Sequence, residues 1–372
     1  MATQAQSGTV PRQAAALGQP WVGAGGLVLV LAIAAVLGIA PGMQRSLEII
    51  GPVSTFCLPV LAVAALWWKG WPFTGLSRLA GGLATLGLIV AAGIVLTGIG
   101  QAVVGSSQLS HLFGTTAETP QGHLVTFPWT VPLAAFVFVT TLQLTFVCRQ
   151  WPFRRLSSVV GGLAALATSW AVGLAGYGLL ANWNFVPAAA RHAIGLRNPG
   201  GPVNALDLVG ILLCIVIWQM TVFFLLDGYP VSKIRSEPLY LVAANAATIG
   251  LGLVTWWVLH GAGGLASPQV SAAAGVIVAG TLVAGLLFEG WPARVVRNPG
   301  LSRLALLVTA GLIAVIAGLV LRAISLAGTW SGDPPQLWVA VMGLNFIGAF
   351  VIIHVAVFRR WPLPAADPAE PN

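Results

Sequence analysis

Residues 288–305 read FEGWPARVVRNPGLSRLA, and the last six letters, Gly300 to Ala305, repeat those of Gly75 to Ala80. Both copies follow a Gly-Trp-Pro, at 70–72 and at 290–292. The same punctuation recurs in looser form. Five marks are present: Lys69-Gly-Trp71-Pro72, Arg149-Gln-Trp151-Pro152, Asp227-Gly-Tyr229-Pro230, Glu289-Gly-Trp291-Pro292 and Arg359-Arg-Trp361-Pro362. Each closes an apolar run, and the gaps between them leave room for two such runs and their loops. Gly81-Gly82-Leu83-Ala84 returns 80 residues later as Gly161-Gly162-Leu163-Ala164, so the first two copies are in gapless register. A period of this length is the signature of a repeated supersecondary unit.

The composition says what the unit is. Of 372 residues, 57% are hydrophobic and 7% charged, against about 25% charged in an ordinary soluble domain. Such a chain cannot coat itself with polar side chains, so lipid is its solvent. Runs of about 20 apolar residues span a hydrocarbon core about 30 Å thick. Ten are read: 22–40, 50–68, 79–100, 127–148, 158–181, 208–226, 238–260, 269–288, 304–322 and 336–358. They are continuous rather than alternating, which excludes a transmembrane β-barrel. The expected fold is all-α: a polytopic transmembrane bundle of five tandem helix pairs. It occupies 22–361, between polar tails at 1–21 and 362–372, with the first run a retained span rather than a cleaved signal.

Each residue of the mark has a physical role in this reading. The charged residue resists entering hydrocarbon, the aromatic sits at headgroup level, and the proline ends the helix. Thirteen of the seventeen Lys and Arg fall on the side of the marks; Arg45, Arg191, Arg197 and Arg322 lie opposite. The positive-inside bias therefore predicts marks and both termini on the cytoplasmic side of a cell membrane. The net charge of +8 is dispersed singly or in pairs, which points to anionic lipid and not to nucleic acid. Cys57, Cys148 and Cys214 show no CxxC or Cys/His spacing and read as small buried hydrophobes.

If the marks are punctuation, function belongs on the other side. Two loops there, 101–126 and 182–207, exceed the usual length of a passive connection; either could dock a partner protein. In the second, Pro187 opens a short helix that Gly195 closes, leaving Arg191 and His192 near its end. Asn204 or Asp207 then caps the sixth span. A lid over a cavity is the functional expectation, with Arg191, His192 and Asp207 as substrate contacts. Gln143 and Gln219, at similar depths in spans four and six, are the intramembrane candidates, although such amides more often bridge helices. A metal site from His111, His123 and His192 is chemically reasonable but lacks the local spacing of a known site. No Walker loop, GxGxxG, GxSxG or CxxCH is present, so no cofactor is evident. The leading expectation is a small-solute permease. The alternatives are a quinone-contacting or metal-handling membrane subunit and a structural membrane protein.

Overall fold

The computed structural model describes residues 18–105, 112–115 and 124–363. Most of the two polar tails, His111, His123 and much of loop 101–126 lie outside them. Among the described residues, nine helices are long and apolar enough to cross a bilayer, and a tenth apolar helix is shorter. In chain order they are α1 (Trp21–Gly38), α2 (Met43–Leu66), α3 (Arg78–Val104), α4 (Val131–Val147), α5 (Ser158–Leu180), α6 (Ala205–Leu225), α7 (Glu237–Ala262), α8 (Ser267–Leu287), α9 (Pro299–Leu326) and α10 (Pro335–Val357). The chain is an all-α multi-pass membrane protein.

The helices form two concentric rings. Even-numbered helices pack side by side in the order α2, α4, α6, α8, α10, and α10 returns to α2. Odd-numbered helices stand outside this ring. Of the long helices, the outer ones bury 17–33% of their most apolar stretch and the inner ones 61–72%. Val28 on α1, Val242 on α7 and Leu319 on α9 are more than three-fifths exposed. Exposed aliphatic side chains on every outer helix suit lipid and not water.

The local structure of the marks differs from expectation. Proline does not end the helix. In all five, the N–H three residues before the aromatic closes an i→i−5 bond, as from Trp68 to Val63 and from Phe288 to Val283. The charged residue that follows is left-handed, with φ between 49° and 52° at Lys69, Arg149, Asp227, Glu289 and Arg359. The next residue is left-handed too, which is why glycine fills that place at 70, 228 and 290. Proline follows an end already made.

The identical hexamers also diverge. Ser77 caps α3 by accepting from the Ala80 N–H at 3.3 Å, and Ser157 does the same for α5. At the second copy Asn298 already caps the helix, accepting from Gly300 and Leu301. Ser302 therefore lies inside α9 and donates instead to the Ala293 carbonyl.

Pairing is offset from the sequence repeat. Each outer helix packs chiefly on the inner helix before it, across a mark: α3 on α2, α5 on α4, α7 on α6 and α9 on α8, while α1 packs on α10. A tight turn joins antiparallel neighbours, whereas the longer connections carry the chain back to the inner ring one place further on. Glycine permits the closest crossings. A Cβ on Gly275 of α8 would lie 2.7 Å from the Ala340 carbonyl, and one on Gly252 of α7 would lie 2.9 Å from the Ile215 backbone.

Two helix limits move as well. The expected loop 41–49 is mostly helix, because α2 starts at Met43 and passes through a π turn at Ser46–Ile50. Glu48 is thus a buried helical residue. On α9 the helix runs to Leu326, so Arg322 sits within its last turns.

Candidate functional site

Five inner helices in a ring leave space at their centre. Two cavities lie there, and each is walled by all five helices. The first, about 70 Å³, lies toward the end of the bundle away from the marks, between Gly51, Val131, Val209, Ser271 and Leu337. The second, about 60 Å³, lies toward the marks, among Leu66, Phe146, Phe224, Leu286 and Ala356. Phe138 and Leu344 line both, so this pair forms the partition between them. A smaller cavity, bordered by Phe127, Leu206, Ser267, Pro268 and Leu337, continues from the first at the same end.

The lining decides the chemistry. Among the described residues, no charged side chain borders any of the three cavities. Thr55, Ser271 and Asn345 are the polar side chains of the first, and the second has none. Asn345 is spent on structure: its amide nitrogen reaches Gly51 O at 3.1 Å, Ser54 Oγ at 2.9 Å and Thr55 Oγ1 at 2.7 Å. Two amide hydrogens share three acceptors, and these bonds join α10 to α2 where the ring closes.

The sequence-derived candidates fall into separate places. Gln143 and Gln219 meet, as their similar depth suggested. Gln219 Nε2 donates to Gln143 Oε1 at 2.5 Å and to Val139 O at 3.1 Å. Gln143 Nε2 donates to Asn245 Oδ1 at 2.7 Å and Thr248 Oγ1 at 3.0 Å. This network ties α4, α6 and outer helix α7 together, and neither glutamine lines the central cavities. Gln219 Oε1 is buried without a partner among the described residues.

Segment 182–207 is held by its own contacts. Strands β1 (Ala181–Asn182) and β2 (Val203–Asn204) pair in parallel. Pro187 and Gly195 bracket the helix Ala188–Ala193, and Asn204 caps α6 through the Leu206 N–H. Trp183 is buried, donates from Nε1 to Tyr177 Oη at 3.0 Å and meets Trp129 edge-on at 5.0 Å. The Arg197 N–H donates to Val104 O at 2.8 Å. Arg191 is half-buried, with Nη1 lacking a partner among the described residues, and His192 is exposed. Neither lines a central cavity. Asp207 comes nearest, accepting from Ser267 Oγ at the α8 N-terminus, one residue from Pro268 at the smaller cavity. His111 and His123 lie outside the described residues. Among those described, no three His, Cys, Asp or Glu gather as metal ligands.

One cluster escaped the sequence reading. In the connection between α9 and α10, Asp333 accepts from Gln44 Nε2 at 2.7 Å, and the same amide donates to Glu48. Burial, reinforced by a hydrogen bond to Glu48, pushes the Asp333 carboxyl up to about 6. The cluster bridges α2 and the start of α10, which also supply Gly51 and Leu337 to the first cavity. Comparison with protein-family models, characterised proteins and solved structures finds no match, so function must be argued from this geometry.

Proposed function

We propose that the inner ring is a conduit for small uncharged solutes, with the marks on the cytosolic side. One observation carries the reading: two cavities inside a ring of five helices, uncharged along their described walls, with Phe138 and Leu344 bordering both. Volumes of about 70 and 60 Å³ suit molecules of a few heavy atoms, since a water molecule occupies about 30 Å³ of liquid. An ion would have to shed its hydration without a counter-charge, which costs many kcal/mol. The Ser271 hydroxyl on the wall of the first cavity favours solutes that can form a hydrogen bond on entry. Passive transport suits the uncharged walls that the described residues give the two central cavities. The recurrence of the marks supports an origin by duplication of a unit of two helices.

Purified protein in liposomes tests the conduit with a ladder of uncharged solutes: water, ammonia, urea and glycerol. Permeation should exceed that of protein-free vesicles for the smaller members, with no conductance to sodium or chloride. Equal rates for all four would overturn the conduit and favour a structural role. Single-cysteine labelling in whole cells tests orientation: a cysteine at Leu156 should be protected from an impermeant reagent, and one at Phe185 should react.

A further inference from the structure

A further cavity lies away from the centre. A groove of about 620 Å³ opens on the outer surface between the second mark and α7, bordered by Trp151, Glu237, Pro238, Leu241, Val242 and Asn245. Pro238, Leu241 and Val242 give it an aliphatic wall, with Val242 68% exposed, and Asn245 stands at its deep end. From Glu237 to Asn245 the helix rises about 12 Å, so the groove descends from headgroup level into hydrocarbon. Its mouth carries two opposite charges. Arg154 Nη2 lies 2.6 Å from Glu237 Oε2, and both side chains are more than two-fifths exposed. Trp151 stands beside them, 45% exposed.

We propose that this groove holds one acyl chain of a phospholipid whose headgroup carries both a phosphate and a primary ammonium. Charge complementarity selects this headgroup. The Arg154–Glu237 bond uses one of the five guanidinium N–H donors of Arg154 and one carboxylate oxygen of Glu237. The remaining donors suit a phosphate, and the second carboxylate oxygen accepts from an ammonium. A headgroup with phosphate alone meets Glu237 as a like charge. A quaternary ammonium has no N–H to donate. The aliphatic sides supply the chain with contact, and Trp151 fits the headgroup–acyl boundary. The site is independent of the central conduit and rests only on the chain lying in a bilayer.

The test uses full-length protein, delipidated in mild detergent and exposed to equal amounts of phosphatidylethanolamine, phosphatidylcholine and phosphatidylglycerol with identical chains. Lipid retained per protein is then read by native mass spectrometry. The wild type should retain one phosphatidylethanolamine, enriched about two- to fivefold over the other two, as a single exposed ionic contact provides. Glu237→Gln should abolish the preference over phosphatidylcholine while a lipid is still retained. Val242→Trp, which fills the groove from a lipid-facing position, should reduce retention of all three. Leu239→Trp, at a position also more than half exposed on α7 but outside the groove lining, should leave retention and headgroup preference as in wild type. Equal retention of the three lipids by wild type, or unchanged retention in Val242→Trp, would overturn the proposal and leave annular lipid only.

Discussion

Phe138→Ala tests the conduit most directly. Phe138 is buried at 7% exposure on α4 and borders both central cavities, with Leu344 of α10 across from it. A solute passing the partition has to displace the ring. Moving a side chain about 30° off its rotamer costs about 0.5–1.5 kcal/mol, and about 1.4 kcal/mol is tenfold in rate. Removing the ring should therefore accelerate uncharged-solute flux by up to about tenfold. Stability should fall by about 3 kcal/mol, the lower end of Phe→Ala costs, because a ring already facing voids on two sides has fewer contacts to lose. Leu344→Trp should act oppositely and slow the flux. The assay is stopped-flow permeation in vesicles of matched protein density, alongside thermal unfolding of the same samples. Sodium and chloride conductance should stay at background in both variants, since neither adds a charge. If both variants remain folded and neither changes the flux, the cavities are packing voids and the conduit is refuted.

Other expectations separate structural from functional roles. Gln143→Leu removes three side-chain bonds, to Asn245, Thr248 and Gln219; at about 0.6 kcal/mol each it should lower stability by about 2 kcal/mol in bicelle unfolding without changing flux. Reduced flux at unchanged stability would instead make Gln143 a solute contact. Asp333 has a raised pKa when folded, so the folded state holds its proton where the unfolded chain has lost it. Its contribution is complete below the ordinary carboxylate range and is lost as pH rises through about 6. The melting temperature should fall between about pH 4 and pH 6 in wild type, and Asp333→Asn should flatten that slope; equal slopes would contradict the assignment. Gly228→Ala forces a side chain into φ 75° and should cost about 1 kcal/mol. Gln150→Gly, at φ 63°, relieves a similar strain at the entropic cost of glycine and should change stability by less than about 0.5 kcal/mol. Equal losses for the two would show that the left-handed pair does not shape the turn.

Much of the fold is legible because hydrocarbon thickness dictates helix length. The ten apolar runs agree with the observed helices to within a few residues at most ends. The exceptions have local causes. Glu48 looks like a loop residue because a carboxylate seems out of place in a span, yet Gln44 and Asp333 give it partners that no local pattern reveals, and Asp333 lies 285 positions away. The ring assignment is illegible for a different reason. In lipid, a helix that faces neighbours and one that faces acyl chains are both apolar, so no amphipathic stripe distinguishes α7 from α8. The candidate site shares that difficulty. Phe138 and Leu344 are ordinary apolar letters, and only the closing of the ring sets them against each other. The amides, by contrast, stood out in the sequence and act as fasteners between helices.

The position of the polar groups follows from how the ring is connected. Every inner helix from α2 to α8 leads through a tight mark to an outer helix, and from there to the next inner helix. Between α10 and α2 no such connection exists, so side chains must hold the seam. Asn345 bonds to Gly51, Ser54 and Thr55, and Gln44 joins Asp333; beside the seam, the Trp338 indole donates to Gly38 O of α1 at 2.9 Å, and the Arg78 guanidinium of α3 reaches Arg359 O at 3.4 Å. Three of these contacts are near the end remote from the marks, beside the first cavity. That is also where the cavity wall contains its polar side chains. The polarity of the conduit entrance is thus partly a by-product of closing a ring whose first and last members lack a direct link. Solute selectivity and ring closure draw on the same residues, so a substitution at Asn345 affects both, whereas one at Phe138 changes the partition and its packing without touching the seam.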